Sequence, residues 1–273
     1  MPELPEVETI ARELRSLFPG RRVERVGIKL NKIIKTGPRR LSRLLQGAEV
    51  LDIQRLGKFL VFEFDAERYL VVHLRMTGQF SWRGEPGGWP KYVHVKLQFE
   101  DGAELLYRDV RQFGCFYGLN SEEYARWRGT IELGPDPFQL SSDDFAKLLR
   151  GRKGRIKPLL LNQAFISGLG NIYVDESLFA AGIHPMVSAG ALDASEADCL
   201  YREVVRILGE AIDLRGSTVS DYQGLSGRGG EFQHFHKVYQ RRGHDCPVCG
   251  CEISRMVVGG RGTYFCPACQ PVK

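Results

Sequence analysis

The chain has 273 residues, 43% hydrophobic and 26% charged, enough to bury a sizeable core in one large domain or two ordinary ones. Its 38 Lys and Arg against 33 Asp and Glu leave a net charge of +5, which permits a polyanionic partner but falls far short of a polybasic tail. No run approaches the roughly 18 apolar residues of a membrane span, and Met1-Pro2-Glu3-Leu4-Pro5-Glu6 is acidic where a secretory signal is basic, so a cytoplasmic protein without a membrane partner is expected.

After Pro5, apolar residues recur at Val7, Ile10, Ala11, Leu14 and Leu17, the spacing of a helix with one buried face. Proline in the first turn and the acids Glu3, Glu6 and Glu8 suit the positive end of that helix. The period then changes to short β-rich runs at Val23–Ile28, Glu49–Ile53, Phe59–Phe64, Tyr69–Leu74, Val93–Phe99 and Leu105–Tyr107, the spacing of an antiparallel sandwich or barrel. From about Ser121 the strand signals stop, and 133–142, rich in Pro, Gly and Ser, reads as a connection between domains. Helical periodicity follows at Phe145–Leu149, Lys157–Phe165, Ile172–Ala181 and from Ser195 to Leu214. Ser217–His236 has no period and four glycines, which in a loop of that length points to function or disorder. The expected class is therefore α+β, an N-terminal helix and β-sandwich followed by a helical domain.

Five of the seven cysteines crowd the last tenth of the chain, so the pattern is not a disulfide framework. Cys246-x2-Cys249 and Cys266-x2-Cys269 bracket sixteen residues, and two such knuckles present four thiolates suited to one structural Zn²⁺. Between them, Ile253–Val258 and Thr263–Phe265 flank Gly259-Gly260-Arg261-Gly262 as a β-hairpin whose tip carries Arg261 toward a phosphate. Cys115, Cys199 and Cys251 are bystanders.

Arg150-Gly-Arg152-Lys153-Gly-Arg155-Ile-Lys157 places five basic residues in eight ahead of a helix. A charge run is ordinarily a solvated face, but Ser167-Gly168-Leu169-Gly170-Asn171 follows as a glycine-rich turn opening a second helix, where backbone N–H groups bind phosphate oxygens. These features together point to nucleic acid. At the N-terminus, removal of Met1 would leave Pro2 as a secondary amine. An α-amino group titrates near ~8 rather than ~10.4 for lysine, so it can attack an electrophilic carbon at neutral pH, with Glu3 beside it to move a proton.

Six blocks carry a resemblance. Met1-Pro-Glu-Leu-Pro-Glu-Val-Glu-Thr9, Arg55-Leu-Gly-Lys-Phe-Leu60, His73-Leu-Arg-Met76, Arg108-Asp-Val-Arg-Gln-Phe-Gly114, Gly168-Leu-Gly-Asn-Ile-Tyr-Val-Asp-Glu176 and Gly260-Arg-Gly-Thr-Tyr-Phe-Cys-Pro-Ala-Cys-Gln270 resemble, in order and end to end, the bacterial formamidopyrimidine-DNA glycosylase (8-oxoguanine-DNA glycosylase) family.

The resemblance implies a catalytic β-sandwich domain over 1–132, a linker at 133–142, a helix-two-turn-helix domain over 143–236 with a lesion-capping loop at 217–236, and a zinc finger at 237–273. It implies Pro2 as the nucleophile forming a Schiff base with C1′, Glu3 as the proton donor to the opening deoxyribose, and Lys58 near the lesion's phosphates. It further implies Met76, Arg111 and Phe113 as the side chains filling the gap left by an extruded base, and Lys157, Asn171 and Arg261 as the phosphate-binding set. Damaged double-stranded DNA is the expected partner, of a monomer that excises oxidised purines and cleaves the strand by β- and δ-elimination. The chain departs from the family pattern at Arg215 and Gln240, where glycine is usual, and at Ser220, where several relatives have a basic residue; these leave the lesion preference open. Two other readings stand: an endonuclease VIII-like enzyme for oxidised pyrimidines, against which Leu4 and the Met76, Arg111 and Phe113 set argue, and a noncatalytic zinc-ribbon nucleic-acid-binding protein.

Overall fold

In a computed structural model of the chain, residues 1–219 and 222–272 are described. The departure at Ser220 lies outside them. The chain divides into two compact units, one formed by 1–131 with 214–231 and the other by 132–213 with 232–273.

The first unit opens with helix α1 (Leu4–Leu17). Glu3 caps it reciprocally with Glu6, whose carboxylate accepts the Glu3 N–H at 2.7 Å. Leu4, Val7, Ile10, Ala11 and Leu14 form its buried stripe. Two four-stranded antiparallel sheets follow. One has the order β1 (Val23–Ile28), β6 (Val93–Phe99), β7 (Glu104–Asp109), β5 (Gly78–Arg83). The other runs β2 (Val50–Leu56), β3 (Phe59–Phe64), β4 (Arg68–His73), β8 (Cys115–Asn120). Their facing side chains, Ile53, Leu60, Phe62, Val72, Phe80, Val95, Leu97, Tyr107 and Phe116 among them, share one core with α1.

Helix α2 (Pro38–Leu45) and helix α3 (Ser121–Thr130) complete the unit. Neither helix, nor β5 or β8, follows from the sequence pattern. β5 begins at a glycine and has only two fully buried positions, and α3 buries no residue, so neither presents a strong apolar period. A local signal for α3 does exist: Asn120 and Glu123 form a capping box.

The second unit contains α4 (Ser142–Leu149), α5 (Ile156–Leu161), α6 (Asn171–Ala180), α7 (Ala194–Asp213) and a hairpin of β9 (Ser254–Val258) and β10 (Arg261–Phe265). α5 stops short of Phe165 because the Asn162 carbonyl is turned to accept the N–H groups of Phe165 and Ile166. Residues 133–142 are packed rather than loose: Gly134 N–H donates to Gln163 O at 2.8 Å, Ser167 N–H donates to Pro135 O at 3.0 Å, and Ser141 caps α4. The hairpin turn is Gly259–Gly260, both at positive φ as a two-residue turn requires, so Arg261 is the first residue of β10 rather than the apex.

The described residues of the glycine-rich segment within 214–231 group with the first unit. Ser217 N–H donates to Glu6 at 2.7 Å and Leu225 N–H to Glu13 at 2.6 Å, while Arg215 forms an ion pair with Glu13.

Candidate active site and nucleic-acid interface

Pro2 and Glu3 lie buried at the start of α1, while Met1 is 47% exposed. The capping bond from Glu3 N–H to Glu6 fixes the backbone beside Pro2, and the other Glu6 oxygen takes the Ser217 N–H. Glu6 thus ties the first residues of the chain to the segment after Gly216. The sequence signal for this role of Glu6, beyond a helix-end charge, is its place three residues after Glu3, the spacing of a capping box.

Lys58 is in the turn joining β2 and β3 and is 6% exposed. The same hairpin is anchored to α1 by Arg55, whose Nε donates to Glu8 at 2.8 Å. His73, paired with Phe59 across β3 and β4, accepts the Arg75 N–H on Nδ1 at 2.9 Å. Burial, and then the charges of Arg75 and Lys58, push His73 down to about 3, so its imidazole is neutral at physiological pH.

Met76 and Phe113 are 40% and 51% exposed, large apolar side chains held out in solvent on two loops. The Arg111 guanidinium lies over the Phe113 ring at 4.9 Å. The loops are neighbours because β5 and β7 pair, with Gly78 opposite Asp109, and because Thr77 Oγ1 accepts the Arg111 N–H at 3.0 Å. The three residues expected to act together are thus on adjoining loops.

The phosphate set divides. Arg261 is exposed at the start of β10. Asn171, in the first turn of α6, donates from Nδ2 to Gly262 O at 2.9 Å. Lys157 is a correction: its side chain is fully buried, with Nζ 2.6 Å from Asp175 Oδ1 and 3.2 Å from Gly262 O. The second Asp175 oxygen accepts the Tyr264 N–H at 3.0 Å, so both members of the pair bind the hairpin. Burial raises the Asp175 carboxyl to about 7 against the opposing pull of Lys157. Its neighbour Glu176 is equally enclosed and accepts the N–H groups of Lys237, Val238 and Tyr239 at 2.8, 3.0 and 2.8 Å, gripping the segment that leads into the hairpin. The sequence signal for both is a pair of adjacent acids in a helix whose other residues, Asn171 and Ser177 apart, are apolar or aromatic.

Cys246, Cys249, Cys266 and Cys269 bring their sulfurs within 4.8 Å of one another, with Cys246–Cys269 at 3.8 Å and Cys249–Cys266 at 3.5 Å. A tetrahedron of ~2.3 Å zinc–sulfur bonds has edges of about 3.8 Å, so the four fit one zinc. All positions around the ion are then thiolate, which makes the zinc structural. It holds a hairpin whose small core is Phe179, Val238, Cys246, Ile253 and Cys266. Cys251 is exposed and outside the cluster.

Three families match successive parts of the chain: the formamidopyrimidine-DNA glycosylase N-terminal domain at 1–116, the formamidopyrimidine-DNA glycosylase H2TH domain at 133–223, and the zinc finger found in FPG and IleRS at 243–272. The formamidopyrimidine-DNA glycosylases of Solibacter usitatus and Brevibacillus brevis are 45% and 46% identical to it, covering 99% of this chain and of theirs. The chain belongs to the formamidopyrimidine-DNA glycosylase family. Among solved structures, a complex between the Lactococcus lactis Fpg and abasic-site DNA, and one between wild-type L. lactis Fpg and DNA containing N7-benzyl-Fapy-dG, each align with TM-score 0.93, 36% identity and 99% and 100% of the two chains.

Measured against the formamidopyrimidine-DNA glycosylase pattern, Arg215 and Gln240 have a backbone explanation. Both occupy left-handed conformations, φ +63° and +59°, where glycine is the unstrained choice. Among the described residues, no helix is long and apolar enough to cross a membrane.

Proposed function

We infer that this chain is a base-excision repair DNA glycosylase with AP lyase activity that removes oxidised purines from duplex DNA and works as a cytoplasmic monomer. The reading rests on the start of α1, where Pro2 and Glu3 are buried side by side and Glu6 holds the backbone between them and the helix. Once Met1 is removed, the Pro2 nitrogen attacks C1′ of the damaged nucleotide, and the bond from C1′ to the base breaks as the base leaves with a proton. Glu3 protonates O4′ as the deoxyribose opens, which leaves an iminium between Pro2 and C1′. Loss of a C2′ proton then expels the 3′ phosphate, and loss of a C4′ proton expels the 5′ phosphate. Lys58 serves at the lesion's phosphates.

Met76, Arg111 and Phe113 occupy the space vacated by the extruded nucleotide, with Arg111 facing the widowed cytosine. Arg261 and Asn171 meet backbone phosphates, and Lys157 supports them from the interior. The zinc supplies rigidity to the hairpin and takes no part in bond making.

The test is borohydride trapping of the mature, zinc-loaded protein on a duplex with 8-oxoguanine opposite cytosine. A covalent protein–DNA adduct through Pro2 is expected. Absence of an adduct, with Met1 removal verified by mass spectrometry, would leave the noncatalytic DNA-binding alternative. Turnover across 8-oxoguanine, formamidopyrimidine and oxidised pyrimidine substrates separates the purine from the pyrimidine reading.

A further inference from the structure

We propose that Asp109, acting with Thr77, is a positioning residue that locks the loops bearing Met76, Arg111 and Phe113 in one arrangement. The proposal rests on the base-extrusion role inferred for those three side chains.

Asp109 ends β7 and is fully buried. Its Oδ1 accepts the Thr77 hydroxyl at 2.5 Å, and its Oδ2 accepts the Gly114 N–H at 2.8 Å and the Tyr107 hydroxyl at 3.3 Å. Thr77 Oγ1 in turn accepts the Arg111 N–H. Thr77 adjoins Met76 and Gly114 adjoins Phe113. One carboxylate therefore reaches all three exposed side chains through a single intervening residue or hydrogen bond. Its backbone is pinned as well, since Asp109 N–H donates to Tyr92 O at 3.0 Å and Asp109 O lies 2.9 Å from His94 Nε2.

Two further observations favour positioning over packing. Arg75 and Gln112, each immediately before an exposed apolar residue, sit at φ +57° and +59° without being glycine. Such conformations persist only where surrounding contacts over-determine them. In addition, among the described residues the hydrogen-bond partners of the Asp109 carboxylate are a hydroxyl, a phenol and a backbone N–H. A carboxyl group accepting from three donors on two loops and a strand fixes their directions, which a side chain that merely fills the core does not do. The fit is tight: a Cβ on Gly78 or Gly114 would collide with the Tyr107 hydroxyl, so the two loops close around the Tyr107–Asp109 pair with no room to shift.

The experiment compares two reactions of the zinc-loaded, full-length protein in single turnover: excision of 8-oxoguanine opposite cytosine, and cleavage of a preformed abasic site in the same duplex. Thr77→Val keeps the shape and removes both hydroxyl bonds. It is expected to slow base excision on the order of ten-fold while changing abasic-site cleavage by less than about two-fold, because the abasic nucleotide has no base to extrude. Thr77→Ser should restore excision. Asp109→Asn should behave as Thr77→Val does, or more severely, and if it does not fold then Thr77→Val decides alone. Excision by folded Thr77→Val at the wild-type rate, while Met76→Ala and Phe113→Ala are slow, would overturn the positioning role and leave the extrusion role standing. Normal excision by Met76→Ala and Phe113→Ala would overturn the extrusion role, and the proposal with it.

Discussion

Lys157 and Asp175 form an ion pair in which neither side chain has any solvent exposure, and the same lysine and aspartate also bind Gly262 and Tyr264 of the zinc hairpin. The pair consequently sets where Arg261, next to Gly262, stands. Removing one partner leaves the other buried and unpaired, at a cost of ~3–5 kcal/mol. Lys157→Met should therefore lower thermal stability by that order, and Lys157→Met/Asp175→Leu should recover most of it. In DNA titrations at several salt concentrations, Arg261→Ala should reduce the slope of log K against log salt by about one, since one phosphate contact is lost. Lys157→Met/Asp175→Leu should reduce the slope by no more than Arg261→Ala does, because it acts only by displacing Arg261, and a larger reduction would mean that Lys157 meets phosphate directly.

Zinc removal bears on the same hairpin. Its core is too small to persist without the four thiolates, so chelation should abolish DNA binding and release one zinc per chain. Cys249→Ser should do the same without chelator. Cys251→Ser should retain one zinc and normal binding, because Cys251 is exposed and outside the sulfur cluster. Zinc content measured beside duplex affinity for the two variants checks the assignment.

His73 gives the pH dependence a sign. Its imidazole is held down to about 3 in the folded protein against an ordinary 6.5, mainly by burial. The unfolded chain therefore takes up a proton on this residue before the folded one does. Its contribution to stability is fully present above about pH 6.5 and is lost progressively as pH falls toward 3, by up to about 1.4 kcal/mol per pH unit. His73→Gln should flatten denaturant-derived stability between pH 6 and 4. An unchanged slope would mean that His236, pushed down to about 4 by burial, carries the effect instead.

The parts of this molecule that could be read from sequence are those with a period or a fixed spacing. α1, β1, β3 and β6 follow from their apolar patterns, and the four cysteines from theirs. β5, α2 and α3 escape because a short strand or a mostly exposed helix has few buried positions to mark it. The site divides in the same way. Met76 and Phe113 are exposed on loops that no periodicity locates. The burial of Lys157 is not legible locally, since it closes a basic run in which nothing distinguishes it from Arg152 or Arg155 and its partner Asp175 is eighteen residues away. Asp109 and Thr77, thirty-two residues apart, likewise meet only through the pairing of β5 with β7.

Arg215 and Gln240 offer a contrast between two left-handed residues. A side chain in that conformation costs roughly 1–2 kcal/mol relative to glycine, while glycine itself loses about 0.4–1 kcal/mol through the greater freedom of the unfolded chain. Gln240 has no side-chain hydrogen bond among the described residues, so Gln240→Gly should raise the melting temperature slightly, and Gln240→Val, with its branched Cβ, should lower it. Arg215 instead pairs with Glu13, which also accepts the Leu225 N–H. There the relief of strain and the loss of the ion pair oppose each other, and Arg215→Gly should leave stability nearly unchanged. Glu13→Gln, which keeps an acceptor for Leu225 and weakens the ion pair, should lower stability in the wild-type background and have less effect beside Arg215→Gly. Melting curves of the four combinations measure this coupling, and purely additive effects would show that the Arg215–Glu13 pair contributes nothing to holding the segment after α7.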